Sequence, residues 1–210
     1  MEKKRIGVVL MILGLLLLIA AISVAVYNYR LQKTAQRYSD EIVKQFREMY
    51  NFPEIDEKIT TTKEIESTKK SGEIYEKTIS KEKTSLLNGD SYIGIIQIVS
   101  LDVELPVAES FSYDKLKKTP CRYSGTVSEG NLVICAHNYA SHFGGFNKLV
   151  NGDIIRSIDF EGNVYTYSVA SIEQIEPTNI DAVNDEDYAL VLFTCNISGN
   201  ARIIVKCDLI

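Results

Sequence analysis

The 210-residue chain has no tryptophan, four prolines, four cysteines and two histidines. Four cysteines are too few to frame a chain of this size with disulfides. With 12 glycines, 45% apolar and 24% charged residues, the chain is neither collagenous nor disordered as a whole. Positive charge is also in deficit: 23 Lys and Arg against 28 Asp and Glu leave a net charge of -5. That argues against a nucleic-acid binder, which needs a basic face to displace counterions. The length admits one ordinary domain with appendages.

What is present falls into three unlike segments. Residues 1–30 carry a net charge of +3, residues 31–83 are neutral with 11 charges of each sign, and residues 84–210 carry 8 basic and 16 acidic residues. Residues 6–26 form an unbroken uncharged run in which Ser23 is the sole hydroxyl. At about 1.5 Å per residue the run spans the roughly 30 Å hydrocarbon core of a bilayer. Lys3, Lys4 and Arg5 precede it, which predicts a cytoplasmic N-terminus and everything after Arg30 outside. Tyr27 and Tyr29 fit the interfacial aromatic belt. The competing reading is a cleaved signal peptide, with Ser23-Val24-Ala25 as a small-x-small site. Its apolar region is ordinarily about 7–15 residues, shorter than this run, which favours an uncleaved single-pass anchor.

Ala35, Tyr38, Ile42, Phe46 and Met49 recur at helical spacing, so residues 31–52 read as an amphipathic helix closed by Pro53. Its apolar face has three possible uses: packing on the domain, pairing with a second copy, or rising from the bilayer. Residues 54–83 are Glu, Lys, Thr, Ser and Ile with almost no aromatics, the composition of a mobile tether. Fully extended it reaches on the order of 100 Å, enough to hold a domain away from a membrane. The organisation predicted is anchor 1–30, helix and stalk 31–83, and domain 84–210.

In the domain, short β-rich runs alternate with turn signals. Strands are predicted at 92–99, 103–107, 131–137, 153–159, 163–171, 189–195 and 201–209, with short helices at 143–150 and 180–187. Seven or eight short strands in this length indicate a closed barrel or a sandwich.

Free cysteines outside the cytoplasm are unusual. Cys195 ends the apolar run Ala189-Leu190-Val191-Leu192-Phe193-Thr194, and Arg202 opens the next strand after a six-residue connection. If the two strands pair, Arg202 faces Cys195 and supplies a permanent charge that favours a thiolate or holds an oxyanion. A thiol nucleophile also needs a proton carrier. His137 ends the apolar strand Leu132-Val133-Ile134-Cys135-Ala136, whereas His142 lies in a loop with Gly144 and Gly145. A cysteine in an apolar strand is ordinarily a small buried hydrophobe, and an isolated histidine or arginine needs no special role, so spacing alone leaves catalytic and structural readings balanced. Cys207, five residues after Arg202, falls on the opposite strand face. Cys135 shares the parity of His137, and Cys121 reads as a loop residue. Buried free thiols are the expectation for these three.

The carboxy-terminal part resembles the sortases, membrane-anchored cysteine transpeptidases of Gram-positive bacteria. Val191-Leu192-Phe193-Thr194-Cys195 and Arg202-Ile203-Ile204-Val205 are similar to the family's Thr-Leu-x-Thr-Cys strand and following Arg-x-x-Val. Ala136-His137 is similar to its strand-end Gly-His. Gly94-Ile95-Ile96-Gln97-Ile98 with Leu105-Pro106-Val107 is similar to its first strands. Phe146-Asn147-Lys148-Leu149, Asn151-Gly152-Asp153 and Tyr165-Thr166-Tyr167-Ser168-Val169 match its middle. The motifs run in the family's order over residues 91–210. Val191 stands in place of the first Thr, Ala136 in place of Gly, and the Cys-to-Arg connection is shorter than in the best-known members, which leaves the subclass open.

The resemblance implies a mainly β, closed sortase-type barrel of seven to eight strands with short helices, preceded by a transmembrane helix and a tether. It implies acyl transfer in which Cys195 attacks a backbone carbonyl in an LPxTG-type sorting motif of a surface protein. An amine of a peptidoglycan precursor or a pilin then resolves the thioacyl-enzyme. His137 would carry the proton, Arg202 would hold the carbonyl oxygen and the peptide, and Thr194 would assist substrate binding. No metal or cofactor is required; some members use calcium, and this sequence shows no convincing carboxylate cluster. Two other readings are a non-catalytic tethered β-domain that binds wall or partner protein, and a hydrolytic cysteine peptidase.

Overall fold

The computed structural model describes residues 2–50, 83–185, 187–196 and 199–210. Residues 51–82, which hold Pro53 and nearly all of the expected tether, lie outside them. The first element is one uninterrupted helix, α1 (Glu2–Met49), so the apolar run and the amphipathic segment are continuous across position 30. Among the described residues it is the one helix long and apolar enough to cross a membrane.

Nine strands follow among the described residues: β1 (Ser85–Leu87), β2 (Asp90–Ile98), β3 (Val103–Ala108), β4 (Cys121–Ser124), β5 (Leu132–Cys135), β6 (Ile154–Asp159), β7 (Val164–Ile175), β8 (Leu190–Cys195) and β9 (Arg202–Leu209). A single-turn helix, α2 (Tyr113–Leu116), precedes β4, capped by the Ser112 side chain, which accepts from the Lys115 amide. Strands β2 to β9 hydrogen-bond in the order β2-β3-β4-β5-β8-β9-β7-β6, and β6 returns to β2, closing an eight-stranded barrel. The β3–β4 and β5–β8 pairs are parallel and the others antiparallel.

Seven strands lie where the apolar runs predict them. The two unpredicted ones are short. β1 has a legible signal: Asn88-Gly89, both at positive φ, forms the tight turn into β2. β4 has none, because Cys121-Arg122-Tyr123-Ser124 carries little strand signature of its own. The helix expected at 143–150 is reduced to the 3-10 turn Phe146–Lys148, and of the helix expected at 180–187 the described residues show only a turn at 181–183.

Alternate residues along the strands bury themselves in two layers. Ile96, Ile98, Leu105, Leu132, Ile134, Leu190, Leu192 and Val205 fill the barrel interior. Tyr92, Ile95, Val133, Cys135, Val191, Phe193 and Ile204 face outward and are covered by α1 and the β7–β8 connection. Burial on both faces is why these strands read as continuous apolar runs. Val183 in that connection is fully buried, and Lys206 bonds Asp185 at 2.9 Å and Glu173 at 3.0 Å.

The open question about the amphipathic helix has a structural answer: its apolar face packs on the barrel. Ile42 and Phe46 are fully buried, and the Phe46 ring meets Phe160 at 4.7 Å and Tyr92 at 5.3 Å. The Tyr38 hydroxyl lies 2.8 Å from that of Tyr92, and the Ser39 hydroxyl donates to the Lys118 carbonyl. Arg47 pairs with Glu104 at 2.6 Å, a half-exposed contact worth about 0–1 kcal/mol. The tether residues therefore follow the docked helix in the chain and do not set the distance between apolar run and barrel.

This packing yields a stability prediction. Removing residues 1–30 should leave melting temperature nearly unchanged. Removing residues 1–50 strips the cover from Tyr92, Ile95, Ile158 and Phe160 and should lower melting temperature and promote dye binding to exposed apolar surface. Phe46→Ala alone should cost about 3–5 kcal/mol. Equal melting temperatures for the two truncations would show that the docking contributes nothing to stability.

Candidate active site

The site grows out of three adjacent strand ends. β5 and β8 run parallel with Leu132 opposite Leu190 and Cys135 opposite Phe193. Three bonds carry that register past the last pair. The Ala136 amide donates to the Phe193 carbonyl at 3.2 Å, the Thr194 hydroxyl to the Ala136 carbonyl at 2.8 Å, and the Asn138 side-chain amide to the Asn196 carbonyl at 3.1 Å. Extended in this way, the register sets His137 level with Cys195. On the other side of β8, the antiparallel pairing with β9 ends with Cys195 opposite Arg202.

Strand alternation aims all three side chains the same way. Val133 and Cys135 precede His137 on the outward face of β5, Val191 and Phe193 precede Cys195 on that of β8, and Ile204 follows Arg202 on that of β9. Of the four thiols, those of Cys121, Cys135 and Cys207 are buried and free, while Cys195 is exposed. It opens onto a cleft of about 350 Å³ lined by Asn138, Phe143, Gly144, Asn147 and Ile203 among others. A larger groove of about 480 Å³ between α1 and the Asp102–Glu104 turn holds neither a thiol nor an imidazole.

The Arg202 guanidinium stacks 5.4 Å from the Phe193 ring centre, and its buried Nη1 has no hydrogen-bond partner among the described residues. A buried donor left unpaired costs roughly 1–3 kcal/mol, more for a charged group. An acceptor arriving beside Cys195 would recover that loss.

His137 is half-buried and its ring stacks on Tyr139 at 4.9 Å. Burial, and secondarily the Lys117 charge, hold its pKa below the ordinary histidine value, so the ring is neutral at pH 7. His142 lies beyond Tyr139, fully buried, with neither ring nitrogen partnered among the described residues. Its pKa is pushed down to about 4, first by burial and then by His137. The loop carrying both folds back on itself: the Phe143 amide donates to the His137 carbonyl and the Gly144 amide to the Tyr139 carbonyl. A Cβ on Gly144 would lie 2.5 Å from the Asn138 carbonyl oxygen, so only glycine fits this turn.

Thr194 is buried, and its hydroxyl is committed to the Ala136 carbonyl, where it ties the two strand ends together. Cys207 is in the barrel interior, on the face opposite Arg202, as its spacing predicts. Cys121, expected in a loop, instead opens β4 and sits opposite Cys135, whose thiol donates to the Cys121 carbonyl. The short strand lacks a sequence signature, which is why it reads as loop. Burial raises the Cys121 thiol to about 11 and those of Cys135 and Cys207 to about 12, so all three are unreactive thiols at neutral pH. Among the described residues no three His, Cys, Asp or Glu side chains converge as a metal-binding set.

Sequence reasoning passes over Asn138, Tyr139 and Asn196. Asn196 organises the connection to Arg202: its amide donates to the Ala201 carbonyl, and its side chain bonds Asn200 and the Ala201 amide. Its position directly after the apolar strand was the available signal. Asn138 and Tyr139 carry no periodicity that marks them.

A family model for the sortase domain matches residues 96–210. Among solved structures, the chain is similar to a sortase D5 transpeptidase of Clostridium perfringens, with 28% identity and a TM-score of 0.51 over 60% of this chain and 82% of that one. It is also similar to C. perfringens sortase C with the C-terminal cell wall sorting motif, with 27% identity and a TM-score of 0.50 over 57% and 70%. Sortase A from Corynebacterium diphtheriae, at 21% identity and a TM-score of 0.53 over 58% and 61%, shares the fold. No curated protein matches the chain.

Proposed function

Since the chain belongs to the sortase family, its sortase domain covering residues 96–210, we propose that it is a cysteine transpeptidase acting on surface proteins. Cys195 attacks a backbone carbonyl within an LPxTG-type sorting motif, the amine of the cleaved bond leaves, and an amine of a peptidoglycan precursor or a pilin takes the acyl group. Neutral His137 accepts the thiol proton, delivers it to the leaving amine and receives the proton of the incoming one. Arg202 holds the carbonyl oxygen as its charge grows. Thr194 keeps the His137 and Cys195 strand ends in register, an indirect part in substrate binding. Residues 1–30 anchor the protein with the N-terminus in the cytoplasm, residues 31–83 form its helix and stalk, and residues 84–210 work outside the membrane.

The observation that supports this most is the pairing of exposed Cys195 with Arg202, whose buried Nη1 lacks an acceptor among the described residues. The direct test incubates the protein lacking residues 1–30 with sorting-motif peptides and an amine such as triglycine. The expected product is peptide joined to the amine. Hydrolysis alone would indicate a peptidase, and no turnover of any motif would favour a binding domain.

Arg202 has its own test. Donors aimed at a growing oxyanion lower the barrier more than they tighten ground-state binding, and losing one typically costs roughly 10²–10³ in rate. Arg202→Ala should therefore lose mainly kcat, with Arg202→Lys intermediate because it keeps charge without the planar fork. Steady-state kinetics with circular dichroism decides it: near-normal kcat in folded Arg202→Ala removes the residue from the mechanism.

A further inference from the structure

We propose that the barrel end bearing Cys195 faces the membrane entered by α1, and that residues 109–122 seat on its anionic lipid headgroups. This rests on reading α1 as a membrane span and Cys195 as the nucleophile. α1 serves as a ruler. The apolar run ends beside Tyr27, and Lys118, whose carbonyl accepts from Ser39, lies on the β3–β4 connection leading into Cys121, which sits opposite Cys135 at the strand end that precedes His137. Tyr38 and Ser39, eleven and twelve residues beyond Tyr27, contact Tyr92 and Lys118. Arg47 reaches Glu104, and at about 1.5 Å per residue it stands roughly 30 Å beyond Tyr27. The catalytic loop is thus at the foot of the ruler and the Glu104 turn near its top.

The foot also carries unusual charge. Residues 84–210 hold 8 basic and 16 acidic side chains, yet Lys115, Lys117, Lys118 and Arg122 fall within eight positions. Among the described residues Asp114 lies 3.0 Å from Lys117, Asp90 3.6 Å from Lys115 and Glu109 3.7 Å from Arg122, while Lys118 lies over the Tyr38 ring. Within 109–122 four basic residues stand against two acidic ones in a domain of opposite sign. Beside them Tyr113 is 75% exposed and Phe111 38%, their rings 5.3 Å apart. Lysines with exposed aromatics suit an anionic lipid–water boundary.

The test uses the full chain carrying Cys195→Ala, which removes the exposed thiol, with a spin label at Tyr113→Cys or at Glu48→Cys near the top of the ruler. The protein is placed in phosphatidylglycerol–phosphatidylcholine vesicles containing a nickel-chelating headgroup lipid. Relaxation by nickel should be at least about fivefold stronger at position 113 than at 48. It should fall toward the position-48 value in phosphatidylcholine alone and in the Lys115→Glu, Lys117→Glu, Lys118→Glu variant. Three results overturn the proposal: failure to float with vesicles, equal or reversed relaxation at the two positions, or a position-113 signal indifferent to both lipid charge and lysine reversal. The labelled protein turns nothing over, so this outcome is independent of the transpeptidation assay.

Discussion

Cys195→Ala is expected to abolish turnover, by on the order of 10⁴ or more, while leaving the melting temperature within a few degrees of the parent. The thiol is exposed at the end of β8, so its removal opens no internal cavity and the loss is chemical. Intact-mass and peptide mapping of the parent, trapped with a slowly resolved peptide, should place the acyl group on residue 195. The other cysteines differ in kind. Cys121, Cys135 and Cys207 are buried, with thiols raised to about 11, 12 and 12. Their Ser variants should keep partial activity and lose stability, because a hydroxyl replaces a small hydrophobe in packed surroundings. An adduct on one of these three would move the site.

His137→Ala is expected to cost several orders of magnitude in kcat/KM, and His142→Ala far less. General acid–base groups contribute typically 10²–10⁴, and in the proposed mechanism one group serves both half-reactions. His137 shares the outward stripe with Cys195 and Arg202, whereas His142 is sealed behind Tyr139. With its pKa held below the ordinary value by burial, His137 is in its neutral form at pH 7, so the acid limb of the rate profile should fall below the usual histidine range. His142 instead governs acid stability. Its folded pKa of about 4 lies below its ordinary 6.5, so the unfolded chain binds the proton first. Stability from this residue is full above pH 6.5 and declines as the pH falls toward 4. Across that window the parent's denaturation midpoint should fall relative to that of His142→Phe as the pH is lowered. A His142→Ala variant as inactive as His137→Ala, yet folded, would reverse the assignment.

The amino-acid sequence by itself determined the elements with a one-dimensional signature: the long apolar helix, seven of the strands, and the placing of Cys195, His137 and Arg202 at strand ends. Such features follow from periodicity, run length and turn residues, which are local properties of the chain. The tertiary structure decided the rest. Barrel closure depends on β6 returning to β2, a pairing between distant segments that no local run announces. The assembly of the site depends on the parallel register of β5 with β8, which sets His137 beside Cys195 although 58 residues separate them, the spacing of the Thr194 and Asn138 bonds. The amphipathic stripe of α1 was legible, but its partner was not, because an apolar face specifies burial and not the surface that buries it. Phe46 found Phe160 and Tyr92 because the outward residues of β2 and β6 leave an apolar patch there. The same burial on both strand faces removed the inside–outside alternation that would have distinguished barrel interior from outer layer before folding.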